Sequence, residues 1–112
     1  MPVTGSPRSV NRERLPNRRP CTTFNLEVSG LPYTCSVGRF PDGRLAEIFI
    51  TNHRCGSDAG AAASDSAVVC SIALQYAVPV EVIRKALMRD GRGQARTPLA
   101  AALDLIATGV LP

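Results

Sequence analysis

Residues 37–60, VGRFPDGRLAEIFITNHRCGSDAG, hold a turn, an apolar run, the sole histidine, a cysteine and a loop of small residues. Two arrangements compete for this stretch: a catalytic or metal-binding centre around His53 and Cys55, or a hairpin that feeds a helix. Pro41-Asp42-Gly43-Arg44 suits a tight reversal, because proline presets one φ and glycine takes a positive one. After it, Ala46, Ile48 and Ile50 alternate with Leu45, Glu47 and Phe49, a period of two that belongs to a strand. Beyond Asn52 the period changes, and the run from Ala67 to Val78 is apolar nearly all round, which predicts a helix buried on most sides. The hairpin and helix decide the fold.

The flanks extend that pattern. TFNLEVSG alternates Phe24, Leu26 and Val28 with Asn25 and Glu27, and YTCSVGRF puts Tyr33, Cys35 and Val37 on one face. Short turns join all three strands, so an antiparallel meander is expected. Downstream, Pro79 suits the first turn of a second helix whose apolar stripe is Val82, Ile83, Ala86 and Leu87. RDGRGQAR, 89–96, reads as a flexible basic connection. Thr97 and Pro98 have the N-cap and first-turn chemistry of a third helix, with Leu99, Ala102, Leu103 and Ile106 inward and Gly109 at its end. The expected fold class is α+β: a three-stranded antiparallel meander with three helices packed on one face, β-β-β-α-α-α.

A chain of 112 residues fits one domain. No run is long and apolar enough to span a membrane, and no apolar segment follows the N-terminal arginines as in a secretory signal. A cytoplasmic protein without a membrane partner is expected. Residues 1–20 carry Arg8, Arg12, Arg14, Arg18 and Arg19 against Glu13 alone, while residues 21–112 balance eight basic groups with eight acidic ones. The arginine-rich tail, 1–20, is expected to be disordered or loosely attached, and the folded domain to occupy 21–112. As a leader the tail would solubilise, as an arm it would dock along its own domain, and as a grip it would hold phosphates.

Cys21, Cys35, Cys55 and Cys70 include no C-x-x-C pair and match no common zinc spacing. Free thiols are expected, Cys35 and Cys70 in the core, with no metal and no cofactor. His53 and Cys55 share a strand face, yet same-face neighbours stand about 7 Å apart, beyond a hydrogen bond. With no second histidine and no carboxylate pair, no catalytic residue is assigned. The loop from Cys55 to Gly60 leads into a helix whose N–H groups suit an anion, but a Walker lysine is missing, Asp58 repels anions, and Ser57 or Ser64 serves as a simple cap. Candidate phosphate or anion contacts are Arg39, Arg44, Arg54, Gly56, Ser57, Arg92 and Arg96, for nucleic acid or a nucleotide. Leu45 and Phe49 fall on the outward sheet face, a candidate interface for a protein partner or for homo-oligomer formation.

VGRFPDGRLAEIFITNH, SDSAVVCSIALQYAVPVEVIRKAL and TPLAAALDLI together resemble the TSCPD domain, over roughly residues 22–106. The most specific parts are the Asp-Gly-Arg-Leu-Ala-Glu-Ile-Phe hairpin and the Ala-Val-Val…Ile-Ala-Leu-Gln helix. That domain lies near the C-terminus of adenosylcobalamin-dependent (class II) ribonucleotide reductases and also forms small stand-alone proteins. The resemblance implies an accessory module, non-catalytic by itself. The reductase barrel does not fit in 112 residues, and the cysteine-rich tail that follows the domain in reductases has no counterpart before Pro112. The family's chemistry is therefore not carried onto the four cysteines. Three functions are expected to compete: docking on a protein partner, phosphate binding through the tail and basic loops, and a part in a ribonucleoside-diphosphate reductase system that needs another chain.

Overall fold

The computed structural model describes residues 11–52 and 57–109. Strands β1 (Cys21–Val28), β2 (Leu31–Arg39) and β3 (Leu45–Asn52) precede helices α1 (Asp58–Gln75), α2 (Val80–Ala86) and α3 (Pro98–Ala107), an α+β arrangement. The strands form one antiparallel sheet in the order β1-β2-β3. β1 pairs with β2 one to one from Cys21↔Gly38 to Val28↔Leu31. Ser29 and Gly30 both take positive φ in that turn, 53° and 78°, which matches the twist of a two-residue hairpin.

β2 and β3 pair one to one from Tyr33↔Asn52 to Gly38↔Glu47; then Arg39 faces Leu45, and Ala46 is the additional residue. Two residues against one form a bulge, and a bulge breaks the alternation of faces. Leu45, expected outward beside Phe49, is therefore buried in the helix-side core. The outward face is polar: Thr23 and Ser36 hydroxyls lie 3.0 Å apart, and Thr34 donates to Asn25 at 3.1 Å. Phe49 is exposed within that field. An antiparallel sheet tolerates one solvated face, so this one needs no cover.

On the other face Tyr33, Cys35, Val37, Ile48 and Ile50 meet Ala63, Ala67, Cys70 and Leu74 of α1 and Leu99, Ala102 and Leu103 of α3. Ser57 caps α1, its hydroxyl accepting from the Gly60 N–H at 3.0 Å, and Thr97 caps α3 in the same way through Ala100. The alanines let α1 lie close to β3, and two polar residues one helical turn apart complete the contact. The Ile48 N–H donates to Ser71 Oγ at 2.8 Å, and that hydroxyl lies 2.9 Å from the Ile48 carbonyl and 3.0 Å from that of Ala67. Gln75 Nε2 donates to the Ala46 carbonyl at 3.1 Å. α1 thus satisfies the open edge of β3.

Three expectations change. α1 is covered on one side only: Val68, Val69, Ile72 and Tyr76 are exposed, because no described element packs over them. Pro79 is the N-cap of α2 rather than a residue of its first turn. The 89–96 connection is tightly bonded: Asp90 N–H donates to the Gln94 carbonyl at 2.9 Å, and Asp90 Oδ1 accepts from the N–H groups of Arg92 and Gln94.

Arg89 and Arg84 converge on Asp104 of α3, with N···O distances of 2.6, 2.7 and 2.9 Å. Hydrogen bonds from Arg89 above all, then from Arg84, hold the Asp104 carboxyl below its ordinary 3.8. A depressed folded value gives stability that is present above the unfolded value and lost as pH falls through the folded one. Acid titration of the wild type below about pH 4 is expected to remove stability that Asp104→Asn never has, so the two unfolding free energies converge towards low pH. Parallel curves would rule the cluster out as a source of acid sensitivity.

Residues 11–20 form no helix or strand but are tied to the body. The Glu13 N–H donates to the Gln75 carbonyl at 2.8 Å, and Arg12 Nε donates to Gln75 Oε1 at 2.6 Å. Arg44 reaches the Glu13 carboxylate at 3.0 and 3.2 Å. Arg19 Nε donates to Glu47 at 2.6 Å, and Glu47 is itself buried over Gly38. Residues 1–10 of the expected tail lie outside the described residues.

Candidate functional site

His53, Arg54, Cys55 and Gly56 lie outside the described residues, so the loop that would form a nucleophile or anion site is not placed. Among the described residues no group of three or more His, Cys, Asp or Glu side chains comes together as a metal site. Cys35 and Cys70 are buried, and burial pushes their thiols up to about 12 and about 11. Thiols in that state are poor nucleophiles. Maleimide is expected to label exposed Cys21 in the native protein and to reach Cys35 and Cys70 only on unfolding. Native labelling of either buried thiol would contradict the packing.

The basic candidates fall into two places, with Arg39 and Arg44 together at the β2–β3 turn. Arg44 stacks over the Phe40 ring at 4.6 Å and binds Asp42 and Glu13, which hold its guanidinium firmly charged and already paired. Arg39 donates to the Gly43 carbonyl at 3.0 Å and lines a cavity of about 510 Å³ with Pro16, Arg18 and Phe40. Arg92 and Arg96 lie in the α2–α3 connection instead, and Ser57 spends its hydroxyl on the helix cap.

The contiguous feature is apolar. Val69, Cys70 and Ala73 of α1, Val82, Ile83 and Ala86 of α2, with Leu87 and Leu99, line an open groove of about 540 Å³. Val69 is 66% exposed, Val82 59% and Met88 66%, and Val68, Ile72 and Tyr76 continue the apolar surface along α1. Between Asp65 and Glu81 the sequence holds no charged residue. Isolated exposed apolar side chains are ordinary, whereas a groove lined by apolar side chains of two helices is a candidate interaction surface. The sequence carried the signal in α1, whose apolar residues exceed what one packed face can use.

No family model matches the chain, and no solved structure matches it. Curated proteins do. Over 72 residues the chain is 43% identical to a vitamin B12-dependent ribonucleotide reductase of Rhodopirellula baltica, a match that takes in 64% of this chain and 7% of that protein. The chain is similar to a small segment of such reductases. A second, from Agrobacterium fabrum, is 42% identical over 73 residues, covering 65% of this chain and 6% of the relative. A third, from Bradyrhizobium diazoefficiens, is 37% identical over 70 residues, or 62% of this chain and 6% of the reductase. This reductase-like chain therefore spans only 6–7% of the length of these relatives. No described helix is long and apolar enough to cross a membrane.

Proposed function

We propose that this chain is a cytoplasmic accessory module of the TSCPD kind, which docks through the α1–α2 groove on a B12-dependent ribonucleotide reductase. The observation that carries the reading is the apolar groove lined by Val69, Ala73, Val82, Ile83 and Leu87, at which Val69 and Val82 are exposed. The similarity supports the choice of occupant, because each relative holds the matching segment inside a polypeptide more than ten times longer than the match. A helical groove with apolar anchors at one-turn spacing suits a packed helix or an apolar strip of a larger protein. No reaction step is assigned to the chain: Cys35 and Cys70, buried and with raised thiols, do not fit a radical or dithiol relay.

The test is sedimentation of the purified chain with the B12-dependent reductase of the same organism. A complex is expected, with Val69→Glu and Val82→Glu each weakening it at least about ten-fold, since a charge forced into an apolar contact loses its hydration. Absence of a complex, or one indifferent to both substitutions, overturns the reading. Exposed side chains at both positions leave the fold of the variants intact.

A further inference from the structure

The two edges of the sheet are treated differently. β3 is closed by Ser71 and Gln75, which bind the Ile48 N–H, the Ile48 carbonyl and the Ala46 carbonyl. That contact fixes the direction of every backbone group in the sheet. Ile48 faces the β3 edge, so its partner Val37 faces β1, and Thr22, opposite Val37, faces β2. By alternation Cys21, Thr23, Asn25 and Glu27 point their N–H and C=O groups away from the sheet. β1 is an outer strand, and no described backbone or side chain pairs with these groups.

An exposed edge is ordinarily blunted by shortness, proline, lysine, a bulge, an inward charge or a cover. Among the described residues β1 has no proline, lysine, bulge or cover: eight residues, CTTFNLEV, run in unbroken one-to-one register with β2, and the one charged side chain, Glu27, stands near the end of the strand. Its core-facing side chains Phe24, Leu26 and Val28 are only half-buried, as is Ile106 of α3 behind them. We infer that β1 pairs antiparallel with β1 of a second copy, joining two meanders into one six-stranded sheet.

The strand is complementary to itself. Any two-fold pairing that keeps apolar side chains on the core face sets odd residues opposite odd ones, which are those with free hydrogen-bonding groups. The two registers of greatest overlap centre on Phe24 or on Asn25. In the first, Phe24 meets its own copy and Thr22 meets Leu26; in the second, Phe24 meets Leu26 and Thr22 meets Val28. Both extend the helix-side core across the junction. Charge does not oppose the pairing, because the one charged side chain of β1, exposed Glu27, faces Cys21 or Thr23 of the copy in these registers.

Sedimentation of the purified chain over a range of concentration tests this pairing. A dimer is expected. Asn25→Pro removes an outward N–H that β2 does not use, and is expected to weaken the dimer at least about ten-fold while the monomer stays folded. Asn25→Lys and Asn25→Glu place like charges opposite or diagonal in either register, each weakening its own dimer several-fold, and their mixture is expected to form the heterodimer. Val69→Glu, on the other side of the molecule, leaves the dimer unchanged, so this result and the fate of reductase docking are read separately. A chain monomeric at every concentration overturns the inference, as does a dimer indifferent to the Asn25 substitutions.

Discussion

Ser71→Ala is expected to lower the unfolding free energy by about 2–4 kcal/mol, a large effect for the loss of one oxygen. Ser71 is 5% exposed, and its hydroxyl is the partner of both the Ile48 N–H and the Ile48 carbonyl. Water does not reach that strand edge, where Ile48 itself is fully buried. Alanine leaves a donor and an acceptor without partners, each at a cost of about 1–3 kcal/mol, while the serine proton alone is worth much less in water. Urea denaturation reads the loss directly. Ser71→Thr, which keeps the hydroxyl, is expected to retain more stability than Ser71→Ala. A loss under about 0.5 kcal/mol in Ser71→Ala would mean that β3 does not depend on α1 for its edge.

Gly38→Val is expected to cost about 2–3 kcal/mol and to loosen the N-terminal arm. A Cβ at this position would stand 2.5 Å from Glu47 Oε2, 3.0 Å from its Cγ and 3.1 Å from its Cδ. The Glu47 side chain cannot simply turn aside, because Arg19 holds both its oxygens, at 2.6 and 3.1 Å. Displacing the carboxylate therefore breaks the ion pair that fixes residues 16–20 near the sheet. Trypsin is expected to cut after Arg18 faster in the variant than in the wild type. The double variant Gly38→Val with Glu47→Ala is expected to lose less than the two single losses added together, since the second change removes the atoms that clash. Strict additivity would show that the glycine serves some other purpose.

Element type was legible in the sequence because period two and period 3.6 are local properties. The β3 pattern of Ile48 and Ile50, the Thr97-Pro98 start of α3 and the serine before α1 all stand where local chemistry puts them. What local pattern cannot supply is sidedness. Leu45 changes faces because Ala46 is an additional residue in the pairing, and a bulge depends on the partner strand. The apolar circumference of α1 fits a helix enclosed on all sides as well as one packed on a single side with its back bare. Ser71 and Gln75 were the available clue, two polar residues a turn apart within an apolar run, matched to a strand edge. The dispersal of the arginines was hidden for a similar reason. Arg44 finds Glu13 across 31 residues of sequence, and Arg89 finds Asp104 across 15, so the partners that neutralise them are not neighbours in the chain. The 89–96 loop was better marked than it seemed, since Asp90 before two spaced glycines is suited to gather N–H groups onto its own carboxylate.

The arm of residues 11–20 is anchored unevenly, and that unevenness sets the order in which it loosens. Its outer clasp, Arg44 to Glu13, is about half exposed at both ends, whereas the inner one closes on a carboxylate that is only 9% exposed. Dissolved electrolyte weakens a wet ion pair far more than a sheltered one. Rising ionic strength therefore opens the clasp at Arg44 well before the one at Arg19, while the hydrogen bonds of Arg12 and Glu13 to uncharged Gln75 hold on, so that a concentrated salt solution slackens the arm without unseating the sheet.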